Sequence, residues 1–290
     1  MKKKIIFIIN PISGGLNKTF IPVLIDKYLD FQLFDAQIIY TAYSNHATLL
    51  AQEAIDNDFD IIVAVGGDGT INEVASVLES SGKTMAIIPC GSGNGLARTL
   101  GISLDNAKAI TRINQLKTLK IDVGLLNNRK FVNMAGMGFD AHISAHFADS
   151  EKRGFIGYVK STLKEIKSYK AQNYSINVNG GQIKRKAFML SLANSSQYGN
   201  NAHISPTASV QDGLIDICII KPFPLFIFPS LVIRMFTQTS AGSKYVEIIK
   251  AKKFIINRES EGPVHVDGEP VNMGKQLSFS VKHLALVLIV

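Results

Sequence analysis

The stretch Asp60-Ile61-Ile62-Val63-Ala64-Val65-Gly66-Gly67-Asp68-Gly69-Thr70-Ile71-Asn72-Glu73 decides the fold. Its first half is a short apolar run rich in β-branched residues, the composition of a strand buried on both faces. The run stops at glycines, and from Ile71 to Leu78 the apolar residues take helical spacing. A buried strand that feeds a helix through glycines is the repeating unit of a parallel α/β sheet. Glycines at that junction let backbone N–H groups approach a polyphosphate, and the helix N-terminus favours negative charge. An isolated carboxylate there would repel phosphates, so Asp68 points to a divalent cation or to the chemistry itself. The plain alternative is a tight turn with Asp68 as a helix cap.

The same grammar extends in both directions. Upstream, Ile5–Ile9 and Phe34–Tyr40 read as strands, with amphipathic helical spacing over Phe20–Leu29 and Ala47–Ile55. Downstream, Met85–Ile88 reads as another buried strand. Two more glycine loops follow strands: Asn10-Pro11-Ile12-Ser13-Gly14-Gly15 and Pro89-Cys90-Gly91-Ser92-Gly93-Asn94-Gly95. One such loop is weak evidence, but loops at successive carboxyl ends of parallel strands mark where ligands gather in open α/β sheets. The combination favours a nucleotide site. The chain carries no Gly-x-x-x-x-Gly-Lys-Ser/Thr loop, no protein-kinase signature pair and no dinucleotide fingerprint after its first strand.

From about residue 125 the texture changes. Phe131–Met134, Tyr174–Val178, Lys184–Ala193, Leu214–Ile220, Phe254–Asn257, Gly262–Val266 and Leu277–Val281 read as strands separated by turn signals such as Asn179-Gly180-Gly181 and Asp267-Gly268. That pattern predicts a mostly antiparallel β domain, a sandwich. Helical spacing interrupts it between Asp149 and Lys170, with Phe155, Val159, Leu163, Ile166 and Tyr169 on one face and lysines at 160, 164, 167 and 170.

Bulk composition agrees with two globular domains. Of 290 residues 46% are hydrophobic and 19% charged, enough to bury a core and too apolar for disorder. The two cysteines, Cys90 and Cys218, cannot make a disulfide framework and fit a reducing compartment as buried small hydrophobes. The apolar N-terminal run ends after five residues at Asn10-Pro11, too short for a signal peptide, and the Phe223–Ile233 run is too short to span a bilayer. These features predict a cytoplasmic or peripheral protein. A net charge of +8 suits nucleic acid, an anionic bilayer or a phosphorylated ligand. No module interleaves basic residues with aromatics as a nucleic-acid binder would, so nucleic acid is not expected.

Taken together, these elements resemble the diacylglycerol kinase catalytic family, which includes soluble bacterial lipid kinases and the sphingosine and ceramide kinases. The resemblance runs nearly the whole chain, through Asn10-Pro11-Ile12-Ser13-Gly14, Gly66 to Asn72, Gly91-Ser92-Gly93-Asn94 with Ala97-Arg98, and Ile121-Asp122-Val123-Gly124. It continues through Gly136-Met137-Gly138-Phe139-Asp140-Ala141, Asp212-Gly213-Leu214-Ile215-Asp216 and Val266-Asp267-Gly268-Glu269. It implies an α/β architecture with an N-terminal three-layer nucleotide-binding domain over residues 1–124 and 282–290, and a C-terminal β-sandwich over 125–281. The apolar Leu284–Val290 would be the tail that returns to the first domain.

The resemblance also implies roles. ATP would be contacted by Asn10, Ser13, Gly14, Thr41, Gly66, Gly67, Asp68, Gly69, Thr70, Ile71, Asn72 and Ser92. Glu269 would accept the proton of a lipid hydroxyl, with Asp267 beside it and Asp68 sharing the catalytic work. Mg2+ would be held by Asp212 with the Ser209 and Leu214 carbonyls. Read from the residues alone, Asp267-Gly268-Glu269 is a turn with two carboxylates beside an apolar strand, where burial could raise one pKa toward a useful base. It is equally a solvated hairpin turn, and Asp212-Gly213-Leu214 is equally a plain β-turn. Asp122 joins the metal network or caps the next turn.

The implied activity is transfer of the ATP γ-phosphate to a membrane lipid hydroxyl, diacylglycerol first, by a peripheral enzyme that visits the membrane. Two departures bear on the lipid. Asn94 is followed by Gly95 where the soluble bacterial kinases usually have Asp, a form closer to the sphingosine kinases. The stretch His142 to His146 lacks the acid those kinases use for the lipid amine. A sphingoid-base kinase, an NAD kinase-like enzyme and a non-catalytic nucleotide- or lipid-binding regulator are the alternatives. Membrane contact falls to the Asp149–Lys170 segment or to Phe223, Phe226, Ile227 and Phe228; exposed strand edges in the β-rich half are compatible with a homodimer.

Overall fold

The computed structural model describes residues 2–15, 17–148, 162 and 165–290. The chain divides into two compact units, Met1–Ile121 with Leu284–Val290, and Asp122–His283.

In the first unit β1 (Lys3–Ile9), β2 (Phe34–Tyr40), β3 (Ile61–Gly66) and β4 (Thr84–Pro89) alternate with α1 (Phe20–Tyr28), α2 (His46–Asp56) and α3 (Asp68–Leu78). The strands pair in parallel in the order β2-β1-β3-β4. Ile61 to Gly66 are buried without exception, because helices cover both faces of the strand. Helix α3 packs on α2, while α5 (Asn106–Ile113), which follows the short α4 (Gly95–Thr99), packs on α1. Asp105 starts α5 by accepting from the Ala107 and Lys108 amides, a cap the sequence reading passed over.

Strand β5 (Thr118–Leu126) carries the chain into the second unit. There follow β6 (Arg129–Phe131), β7 (Met134–Gly138), α6 (Phe139–Ala148), β8 (Gln172–Val178), β9 (Gly181–Ala187), β10 (Met189–Ala193) and β11 (Ile215–Ile220). The unit ends with α7 (Phe228–Phe236), β12 (Val246–Ala251), β13 (Lys253–Arg258), β14 (Gly262–Val266), β15 (Glu269–Met273) and the first part of β16 (Gln276–Ile289). One antiparallel sheet runs β16-β13-β8-β9 and the other β12-β11-β10-β7-β14-β15. Buried side chains from both, among them Ile176, Phe254 and Phe279 from the first and Met137, Leu192 and Ile217 from the second, form one core. This is the expected sandwich.

Two expected strands are each broken in two. Lys184–Ala193 divides at Phe188, whose N–H donates to Ile220 and whose carbonyl accepts from Phe139. Before it the pattern alternates between exposed and half-buried, as on a sheet with one wet face; after it every residue is buried. The chain changes sheets there. Phe131–Met134 divides because the amides of residues 132–134 are drawn onto a carboxylate described below.

The tail returns as expected. Leu284 adopts φ 50, the single left-handed residue in β16, and beyond it Val287 and Leu288 pair in parallel with Thr84 and Met85 at the edge of the first sheet. Ala285 accepts from Ser80, and Val290 donates to Lys117. No helix among the described residues is long and apolar enough to cross a membrane. Cys218 is buried as expected, whereas Cys90, on a glycine loop, is half-buried.

Candidate active site

The order β2-β1-β3-β4 brings four strand ends side by side: Thr41 after β2, Asn10 after β1, Gly66 at the end of β3 and Cys90 after β4. Asn10 donates to the Thr70 hydroxyl at 3.0 Å, joining the first loop to the helix that follows β3. Ser13 bonds the Asn10 carbonyl, and the buried Lys18 ammonium donates to the Ser13 carbonyl at 2.7 Å. The loops touch through missing side chains. A Cβ on Gly14, whose φ is +63, would lie 2.3 Å from the Cys90 carbonyl oxygen, and one on Gly91 would lie 2.5 Å from the Gly67 Cα. Only glycine permits this closeness.

Asp68 is the first residue of α3. One carboxylate oxygen accepts from the Asn94 N–H and the other from the Gly95 N–H, each at 2.9 Å. It therefore clamps the second and third loops and complements the positive end of α4. Asn94, left-handed at φ 52, closes its own loop by accepting from the Gly91 N–H and donating to the Gly91 carbonyl. The sequence suited the Asn94 amide to phosphate or ribose contacts; in the structure that amide closes its own loop. Glu73 accepts from the Asn45 and Ala47 amides at the start of α2, and burial pushes its carboxyl above the usual range despite those bonds. Thr70 and Ile71 are buried, Gly67, Gly69, Asn72 and Ser13 half-buried, and Ser92 and Gly14 exposed. Of this set, Gly14 and Ser92 are the exposed positions.

In the second unit Asp267 and Gly268 form a two-residue hairpin between β14 and β15, with φ 46 and 88 and Val266 paired to Glu269. Both residues left-handed is the tight turn that suits the sheet's twist. The Asp267 carboxylate is buried and accepts from the Val132, Asn133 and Met134 amides at 2.9, 2.9 and 2.8 Å. Three such bonds to one carboxylate tie the turn to residues 132–134. Glu269, one turn residue away, is exposed. Asp267 fixes the turn and Glu269 presents a carboxylate to solvent.

Behind the turn lies a pair the sequence did not reveal. His265 and Asp140, both buried, meet at 2.6 Å, and Gly136 leaves them room, since a Cβ there would lie 2.4 Å from the His265 Nε2. Burial opposes the imidazolium, but Asp140 and then Asp267 outweigh it and raise the His265 pKa. Phe139-Asp140-Ala141 was legible as a motif; its partner, 125 residues away, was not.

The expected metal set is Asp212, Ser209 and Leu214. The carboxylate of Asp212 accepts from the Leu214 N–H at 3.1 Å and from the Lys250 ammonium at 3.2 Å, and Lys250 also reaches Asp216 at 3.1 Å. Asp122, fully buried, braces the turn by accepting from the Gly213 N–H at 2.7 Å and pairing with His283 at 2.8 Å. Among the described residues no three acidic, His or Cys side chains cluster as a metal site. One carboxylate with two carbonyls is an all-oxygen set that suits a hard, largely hydrated cation. The residues fit Mg2+ in kind, with Lys250 competing for the same carboxylate.

One unit carries glycine loops on the carboxyl edge of a parallel sheet, and the other is a β-sandwich with a carboxylate turn. The diacylglycerol kinase catalytic domain model matches residues 4–126, and the YegS C-terminal NAD kinase beta sandwich-like domain model matches residues 133–289. The chain belongs to the diacylglycerol kinase catalytic family and is a kinase. A probable lipid kinase YegS-like of Pseudomonas aeruginosa (strain UCBPP-PA14) is 31% identical over 83% of this chain and 80% of its own length. A diacylglycerol kinase of Bacillus subtilis is 26% identical over 92% and 90%. The crystal structure of a diacylglycerol kinase from Bacillus anthracis superposes with a TM-score of 0.76 at 23% identity over 99% of this chain and 96% of that one, a likeness of fold.

Proposed function

We propose that this kinase transfers the γ-phosphate of ATP to the primary hydroxyl of diacylglycerol at a membrane surface. The observation that carries the proposal is the line of four strand ends, Thr41, Asn10, Gly66 and Cys90, with loops closed on one another by glycine contacts. Backbone amides in such loops hold a polyphosphate without a P-loop. Asn10, Ser13, Gly14, Thr41, Gly66 to Asn72 and Ser92 are the proposed ATP contacts, and Asp68 keeps two of the loops in register.

In the second unit Glu269 is the proposed proton acceptor. As the lipid hydroxyl oxygen forms its bond to the γ-phosphorus, the bond from that phosphorus to the bridging oxygen of ADP breaks and the hydroxyl proton passes to Glu269. Mg2+ supplied with ATP neutralises phosphate charge in this chemistry. Asp267, anchored by three amides, holds the Glu269 turn; it is a positioning residue. The family relationship, with one relative that is a diacylglycerol kinase, favours that lipid. The protein works in the cytoplasm and meets its substrate peripherally.

The test is transfer of labelled γ-phosphate from Mg2+–ATP to diacylglycerol, monoacylglycerol, sphingosine, ceramide and a polyprenol in mixed micelles, with NAD as the soluble comparison. Labelled phosphatidic acid, lost in Glu269→Gln, is the expected result. Label on sphingosine or NAD would replace the acceptor. ATP binding without transfer to any acceptor would leave a regulator.

A further inference from the structure

We infer that the segment Lys221–Phe236, ending in α7, is a membrane-docking face for an anionic bilayer. The inference rests on the lipid-kinase reading for its choice of partner. Within this segment Leu225, Phe226, Ile233 and Phe236 are 49, 79, 60 and 45% exposed. Single exposed apolar residues need no explanation, but four in twelve consecutive positions, together with the exposed Pro222, Pro224 and Pro229, make this segment an apolar lip. Each proline fixes its own φ, so less order is lost when the lip is buried.

Charge names the occupant. From Ile217 to Val246 the chain has no acidic residue and three basic ones, Lys221, Arg234 and Lys244. Lys221 shares its charge with Glu247 at 3.0 Å, and the Lys244 side chain is exposed beside the lip. An apolar wedge that carries Arg234 and Lys244, with the Glu247 carboxylate held by Lys221 and Arg185, suits the acyl–headgroup boundary of an anionic leaflet.

The underside of the lip leads inward. Phe223, Ile227 and Phe228 pack on a second apolar cluster of this unit. Ring contacts continue from Phe228 to Phe223 at 6.4 Å, to Phe188 at 5.0 Å and to Phe139 at 4.5 Å. Phe139 precedes Asp140, whose partner His265 lies two residues before Asp267. Rings thus run inward from the lip as far as Phe139, next to the Asp140–His265 pair.

The chain contains no tryptophan, so Phe226→Trp makes a single reporter at the most exposed position of the lip. Its emission should shift to the blue, and be quenched by brominated acyl chains, when vesicles of equal parts phosphatidylcholine and phosphatidylglycerol are added. Vesicle co-sedimentation of Leu225→Glu with Phe226→Glu should weaken by about tenfold or more at an unchanged melting temperature. Emission unmoved by vesicles, or sedimentation unmoved by the double substitution, would overturn the docking face. A blue shift that appears without vesicles and grows with protein concentration would also overturn it, in favour of a second copy of the chain. Vesicle binding that the double substitution abolishes, in a protein that phosphorylates no lipid, would support docking and remove the kinase reading.

Discussion

The two units hold their functional groups in opposite ways. In the first, the chemistry is carried largely by the backbone: glycines at Gly14, Gly67 and Gly91 let three loops touch, and one carboxylate, Asp68, ties two of them together. In the second, it is carried by side chains fixed over long sequence distances, as where Asp267 gathers the amides of residues 132–134 and His265 meets Asp140. A backbone site fails when an atom is added. A side-chain site fails when a charge is removed. The measurements that separate them follow from that difference.

The largest effect is expected at Glu269. Glu269→Gln removes the proposed proton acceptor and should lower kcat by about a thousandfold, within the range for a lost general base. Because Glu269 is exposed, the melting temperature should stay where it is. A variant that retains kcat would move the proton acceptor elsewhere and dissolve the contrast between the units. Next comes Gly91→Ala, which must push the Gly67 backbone aside. A displacement of about an ångström near reacting groups costs on the order of a hundredfold, here in kcat/KM for ATP, with vesicle binding untouched. Normal ATP kinetics in this variant would show that the loops do not need to touch.

Asp267→Asn sharpens the difference between neighbours in one turn. Charge-assisted bonds to a buried carboxylate contribute about 1.5–3 kcal/mol, so this variant should unfold measurably more easily, where Glu269→Gln does not. Equal melting temperatures for the two variants would deny Asp267 its anchoring role.

This asymmetry also explains what could be read before the structure. Glycine loops are local, and a strand run followed by Gly66-Gly67 announces its own geometry; β2 was placed residue for residue. The sandwich was legible as a class because turn signals punctuate it. What escaped was whatever depended on a distant partner. No local pattern says that Phe131–Met134 breaks because Asp267 takes its amides, or that the chain changes sheets at Phe188. Strands β12 and β15 were missed because residues such as Glu247, Lys250 and Pro270 dilute their periodicity. The membrane reading of Asp149–Lys170 falls almost wholly outside the described residues. The exposed edge β9 carries Lys184, Arg185 and Lys186, like charges that oppose edge-to-edge pairing and so weigh against that route to a homodimer.

A smaller effect is expected from pH at the buried pair. The raised pKa of His265 in the folded protein means that its pairing with Asp140 contributes in full below the ordinary histidine value of about 6.5. The contribution is lost as pH climbs through the raised value. The melting-temperature gap between wild type and His265→Asn should therefore be widest in mild acid and narrow toward alkaline pH. A gap that stays constant with pH would mean the pair is held as a neutral hydrogen bond.

The smallest effect concerns the cation at Asp212. Lys250 sits 3.2 Å from that carboxylate, so a metal at the turn must share or displace an ammonium. Like charges near one ligand weaken its affinity for a cation, but here both partners are partly exposed and water screens the conflict. Wild-type protein should thus gain stability only slowly as Mg2+ is raised in the absence of ATP. Lys250→Met removes the competitor and leaves Asp212 and Asp216 uncompensated, so it should respond at several-fold lower Mg2+, and Asp212→Asn should respond in neither background. Should Lys250→Met titrate like wild type while Asp212→Asn still abolishes the response, the metal and the ammonium occupy different sides of the carboxylate. Should Asp212→Asn change nothing, the turn is held by Asp122, Lys250 and its own backbone, and the second unit needs no metal for its shape.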